Sequence, residues 1–139
     1  MREPMKVRLE QTGPAAFAAV GASGGELTVD GAPAIGGEGR GMRPMELLLT
    51  ALASCAAMDV LHILRRQKEP LEALHLEVEG TRADAVPAVF TRIRLRFVAR
   101  GEVSERKLQR AVALGVEKYC SVGASLAPDV EVAYEARRA

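Results

Sequence analysis

The sequence predicts an α+β fold with the element order βββ-α-ββ-α-β. Short alternating segments broken by glycine turns fill the first forty residues, and one long apolar stretch of helical length begins at Pro44. Two strands then follow in succession before the next helix, so strands and helices do not alternate one for one as in a doubly wound α/β sheet. The 139 residues suit a single domain, 1–139.

Met5–Glu10 alternates apolar and polar residues and stops at the Gly13-Pro14 turn. Ala15–Val20 is a second strand ahead of Gly24-Gly25, and Glu26–Val29 a third, closed by Asp30-Gly31. Together they predict a three-stranded meander. Four glycines then crowd Gly36–Gly41, a backbone-permissive loop without the GxxxxGK[ST] spacing of a phosphate cradle. Pro44 stands where a first helical residue belongs, because its missing N–H costs nothing there. From Met45 to about Lys68 apolar residues occur nearly all round, the pattern of a buried helix. Arg65, Arg66 and Lys68 suit its C-terminal end, and Pro70 stops it.

Leu71–Glu79 and Phe90–Arg100 alternate with period two. Leu74, Leu76 and Val78 share one face of the first, with Ile93, Leu95 and Phe97 on the core face of the second. The opposite faces set His75, Glu77 and Glu79 beside Arg92, Arg94 and Arg96, which predicts an antiparallel hairpin with cross-strand ion pairs. The Gly80–Ala88 segment is its loop. Ser104 is a good N-cap for a helix on which Leu108, Ala111, Val112, Gly115, Val116 and Tyr119 recur at helical spacing, ending near Tyr119-Cys120. Ser121–Leu126 reads as a turn or short helix, and Val130–Tyr134 as the last strand.

Composition narrows the function classes. Nineteen basic and eighteen acidic residues are interspersed for a net charge of +1, with no basic block, so nucleic acid is not an expected partner. No secretory leader pattern is present, and Glu46, Asp59 and His62 make the long helix too polar for a lipid-embedded span. The expected location is cytoplasmic, with no membrane partner. Aromatic residues make up only 4% of the chain, so the core is built from Leu, Val, Ala and Met, and a core of that kind gains from being shared between subunits.

Two cysteines in a reducing compartment point to chemistry more than to a structural disulfide. Read alone, Cys55 is either a small buried hydrophobe or a nucleophile, and Cys120 is either a packing residue or its redox partner. Cys55, Asp59 and His62 share one face of the long helix at i, i+4 and i+7, with His62 read as a surface residue. Two Cys and two His without CxxC or HExxH spacing give no metal site, and no cofactor is expected. Glu46 lies in the first helical turn, where the helix dipole favours a carboxylate. Arg40 and Arg43 precede it on the glycine-rich loop.

The run Arg43-Pro44-Met45-Glu46-Leu47-Leu48-Leu49-Thr50-Ala51-Leu52-Ala53-Ser54-Cys55, continuing to Val60, resembles the central-helix signature of the OsmC/Ohr family, and Lys118-Tyr119-Cys120-Ser121-Val122 resembles its second cysteine motif. The resemblance extends over nearly the whole chain and is closest to the YhfA-like branch. It implies an intertwined homodimer with long central helices wrapped by sheets and active sites at the subunit interface. It also implies reduction of an organic hydroperoxide in oxidative and osmotic stress defence. On that resemblance Cys55 is the peroxidatic cysteine and Cys120 the resolving one. An external dithiol, lipoyl-linked in parts of the family, restores both thiols, and Met45, Leu48, Leu52 and Met58 supply apolar pocket walls.

The sequence departs from the family pattern twice. The peroxidases of the family hold an activating Arg, from the N-terminal strands, with a Glu directly after the helix-opening proline. Here Met45 follows Pro44 and the acid comes at Glu46, while Gly21–Glu26 contains no Arg. Arg40 or Arg43 is the expected substitute, reaching Cys55 across the dimer interface. The competing expectation is a non-catalytic binding or stress-response protein of the same fold, with an apolar ligand pocket at the dimer interface.

Overall fold

The computed structural model describes residues 2–139, which form two compact units meeting in sequence at Leu48 and Leu49. In the first, β1 (Val7–Gln11), β2 (Phe17–Gly21) and β3 (Glu26–Val29) make the expected antiparallel meander in the order β1-β2-β3. The register sets Val7 opposite Gly21, Leu9 opposite Ala19, and Phe17 opposite both Gln11 and Val29. Residues directly opposite share a face, so Val7, Leu9, Phe17 and Leu27 lie on one side of this sheet, and they remain 61, 55, 39 and 47% exposed. β1 and β2 each start two residues later than the alternation suggests, and β3 has the expected bounds.

A 3₁₀ turn, Pro33–Ile35, leads into the glycine-rich loop. That loop is pinned rather than free. Met42 bridges to Val29, Asp30 N–H donates to Met42 O at 3.1 Å, and a Cβ at Gly41 would collide with the Thr28 carbonyl. Glycine is needed there for close backbone approach.

The long helix α1 (Pro44–Arg66) opens on one half of a capping box: Arg43 N–H donates to Glu46 Oε1 at 2.9 Å, with Pro44 at the first helical position. It closes on a Schellman motif, in which Glu69 N–H reaches Leu64 O and Lys68 N–H reaches Arg65 O, both at 3.0 Å. The left-handed residue of that motif is Lys68, at φ 56°. Burial on α1 follows one stripe, Leu52, Ala53, Ala56, Val60 and Leu64, whereas Met58 is 65% exposed. The expectation of burial nearly all round therefore exceeds what one chain covers. By length and composition α1 would suffice to cross a bilayer, its most apolar window having a mean hydropathy of 1.9, so Glu46, Asp59 and His62 do not make it too polar as expected.

In the second unit β4 (Leu71–Arg82) and β5 (Phe90–Gly101) pair antiparallel, with Leu76 opposite Phe97 and Glu77 opposite Arg96. Ile93, Leu95, Phe97 and Ala99 are fully buried, as their alternation predicts. The expected charge rows are present and a third strand joins them. β6 (Glu131–Arg138) runs parallel to β5, so Arg96 contacts Glu77 at 3.1 Å and Glu135 at 2.8 Å. β6 continues four residues past the expected Tyr134, because pairing along β5 carries it to Arg138.

Ser104 caps α2 (Glu105–Leu114) by accepting Lys107 N–H. A π-helical turn, Gly115–Tyr119, then replaces the expected last α-turn, and the short α3 (Ser121–Ala124) follows. On α2 the buried positions are Leu108, Ala111 and Val112, and Gly115 continues the stripe. An α-helix would next bury Tyr119, four residues on; the wider turn leaves Tyr119 49% exposed and buries Cys120 instead.

Candidate active site

Cys55 sits half-buried in the middle of α1, and Cys120, 4% exposed, directly follows the π turn. Both are free thiols, and Cys55 lies near enough to Cys120 to raise its pKa. The packing that joins them depends on small residues. A Cβ on Gly115 would come within 3.1 Å of both Ala56 O and Val60 Cγ2, so the glycine lets the turn lie close against α1.

Cys120 Sγ–H points to Leu52 O at 3.8 Å, and the sulfur accepts Gly123 N–H at 3.2 Å as the N-cap of α3. Burial pushes the Cys120 thiol above its ordinary pKa, and the adjacent Cys55 thiol raises it further, while the Gly123 N–H works in the opposite direction. Cys120 therefore stays protonated at neutral pH. A cavity of about 170 Å³ opens on Cys120, walled by Leu52, Val116, Glu117, Lys118 and Val132 among others; Cys55 does not line it.

Asp59 and His62, grouped by sequence with Cys55, instead line a different groove of about 560 Å³ together with Ile63, Arg66 and Tyr119. Cys55 is not part of that wall. Among the described residues no group of three or more His, Cys, Asp or Glu could hold a metal ion.

The remaining expected site residues lie in the first unit. Glu46 caps Arg43, as above. The Arg40 guanidinium donates to Thr12 O at 3.0 Å and faces Glu38 at 3.5 Å, and Arg43 is exposed. One functional-looking residue escaped sequence reading. Asp30, 1% exposed, accepts N–H groups from Gly31, Glu38 and Arg40 at 2.8, 2.9 and 3.1 Å. Those backbone donors, with the Arg40 charge adding a smaller part, hold its carboxyl below the ordinary range. Only the Asp-Gly pair before a glycine-rich stretch hinted at it. A second is Tyr134, whose pKa is raised first by burial and then by the neighbouring Glu117 carboxylate.

The fold and site define an α+β protein with two neighbouring free thiols, one on a long helix and the other directly after the turn packed against it. The chain belongs to the OsmC-like protein family, whose sequence profile matches residues 37–135. Protein YhfA of Escherichia coli K12 is 30% identical over 131 residues, covering 94% of this chain and 95% of that protein. A hypothetical protein from Aquifex aeolicus VF5 has a crystal structure with a TM-score of 0.82 and 34% identity, over 99% of both chains. The Legionella pneumophila structure titled an organic hydroperoxide resistance protein OsmC matches at a TM-score of 0.70 and 18% identity, over 96% of both chains, which shows the shared fold.

Proposed function

We propose that the protein reduces organic hydroperoxides with its own thiols and is then recharged by an external dithiol. The observation that carries this reading is the closeness of the Cys55 and Cys120 thiols, neither of them in a disulfide. The Cys55 thiolate attacks the distal oxygen of the O–O bond; the alkoxide leaves and takes a proton to become the alcohol, and Cys55 becomes a sulfenic acid. Cys120 then attacks that sulfur, water leaves, and a Cys55–Cys120 disulfide closes. Two electrons pass from the thiols to the peroxide, and a dithiol returns them. The half-exposed Cys55 suits the first step and the buried, protonated Cys120 the second. The hydroperoxide-resistance title of the Legionella relative supports the substrate class.

The working unit is proposed to be a homodimer in the cytoplasm, with residues 1–139 as one domain; the family profile extends over residues of both units. The uncovered apolar face of β1–β3 supports the dimer. So does a groove of about 350 Å³ between α1 and β4, walled by Ala53, Ala57, Leu76 and Val78. Of the two expected activating cations we assign the role to Arg43, because the Arg40 guanidinium is already engaged by Thr12 and Glu38.

Consumption of cumene hydroperoxide with dithiothreitol tests the reading. Cys55→Ser abolishes turnover, and Cys120→Ser consumes one equivalent and stops. Arg43→Ala slows alkylation of Cys55 by iodoacetamide at neutral pH. Equal turnover in Cys55→Ser sinks the proposal. Arg40's engagement also favours a second reading, a non-catalytic binding or stress-response protein with slow thiol oxidation. That protein would show no turnover and would instead bind an apolar probe such as a fatty acid at the dimer interface.

A further inference from the structure

We infer that electrons re-enter this protein at Cys120, by attack of a slender alkyl dithiol through the cavity walled by Val116, Lys118 and Val132. The inference rests on the proposed thiol cycle and adds which sulfur is attacked, and from where.

Thiol–disulfide exchange runs in line: the incoming sulfur must approach the attacked sulfur from the side opposite the one that leaves. Cys120 offers such a side. Cys55 neighbours its thiol, yet the cavity of about 170 Å³ is lined by Cys120 and not by Cys55. The space is apolar at Leu52, Val116 and Val132, with Glu117 and Lys118 also in its lining. Glu117 neighbours Tyr134, and Lys118 Nζ stands 5.3 Å over the Tyr119 ring. A volume of this size admits a chain carrying a thiol and excludes a folded protein surface.

The leaving group argues the same way. Exchange is faster when the departing thiol has the lower pKa. Burial raises the Cys120 thiol, so expelling Cys120 from the disulfide is the unfavourable direction. Attack on Cys120 expels Cys55 instead, which leaves as a thiolate and takes up a proton. The dithiol is then linked to Cys120 as a mixed disulfide. Its second thiol attacks its own bonded sulfur, Cys120 departs and is protonated, and the dithiol leaves as a cyclic disulfide. One disulfide is consumed and one formed, with two electrons transferred.

The experiment starts from the full chain with its Cys55–Cys120 disulfide made with diamide, so it does not depend on peroxide turnover. A monothiol, 2-mercaptoethanol, is added in small excess; the reaction is acid-quenched, free thiols are alkylated and the peptides mapped by mass. The expected adduct lies on Cys120, with the alkyl label on Cys55; the reverse pattern overturns the inference. In parallel, Ala124→Leu fills the cavity wall. Reduction of its disulfide by dithiothreitol should slow about tenfold or more, while the single-turnover reaction of its reduced form with cumene hydroperoxide keeps its rate. An unchanged reduction rate overturns the route through the cavity. Failure of the thiol cycle itself looks different: peroxide then forms no disulfide, yet the diamide-made disulfide still reports which sulfur is attacked.

Discussion

Glu69 Oε1 accepts the backbone N–H of Ser104 at 2.7 Å, and Glu69 Oε2 faces Lys107 Nζ at 3.4 Å. The residue that completes the closing motif of α1 thus holds the N-cap residue and first turn of α2. The Ser104 N–H, and to a smaller degree Lys107, lower the Glu69 pKa from its ordinary 4.5. A lowered carboxylate contributes stability above its unfolded value, which is lost as pH falls through the folded value. The stability difference between the native protein and Glu69→Gln is therefore full above pH 4.5 and closes on acidification below it, as urea unfolding at stepped pH will show.

Asp30 predicts a local effect. Its carboxylate is the shared acceptor for Glu38 and Arg40 N–H. In Asp30→Asn one oxygen becomes a donor, facing donors, and the glycine-rich loop loses its anchor. Amide exchange at residues 38 and 40 should accelerate, while exchange within β5 stays slow. Equal rates at both places would show that the loop does not depend on this carboxylate.

Gly41 has no space for a methyl group beside the Thr28 carbonyl. Gly41→Ala must move backbone to fit, so a loss of about 1–3 kcal/mol is expected in chemical denaturation.

Lys68 points the other way. A non-glycine residue held left-handed costs roughly 1–2 kcal/mol, and Lys68 is held at φ 56°. Lys68→Gly relieves that cost against some added chain entropy, for a net gain of up to about 1 kcal/mol. A lower thermal midpoint would mean that the lysine side chain contributes more than its backbone costs.

Cys120 carries a pH signature. Its pKa is raised from the ordinary 9.0, first by burial. For a thiol raised on folding, the associated stability is present below pH 9.0 and is lost as pH rises through the folded value. With iodoacetamide, label should enter Cys55 first, and Cys120 should stay largely unlabelled until the pH exceeds 9.0.

Much of this fold was legible because its elements carry unbroken periodicities. The alternation of Ile93, Leu95 and Phe97 against Arg92, Arg94 and Arg96 located β5 and its buried face, and Pro44 with Pro70 bracketed α1. The parallel partner of β5 was not legible, because nothing in Glu131–Arg138 names the strand it joins; the pairing is a tertiary choice. Cys55 and Cys120 stood out only through their motifs, since spacing alone leaves a lone thiol ambiguous. The loop before α1 was not legible: a glycine-rich stretch reads as slack, whereas a buried Asp30 and the Thr28 carbonyl make it taut.

One widened turn decides where a sulfur points. Between residues 115 and 119 the helix carries an additional residue, so the step from one inward position to the next is five rather than four. Removing a single codon there, such as that for Val116, would set Cys120 four residues after Gly115, so ordinary winding would turn the same sulfur inward. The widened turn and the inward sulfur are thus separable by one deletion, a change that no residue-by-residue substitution scan would sample.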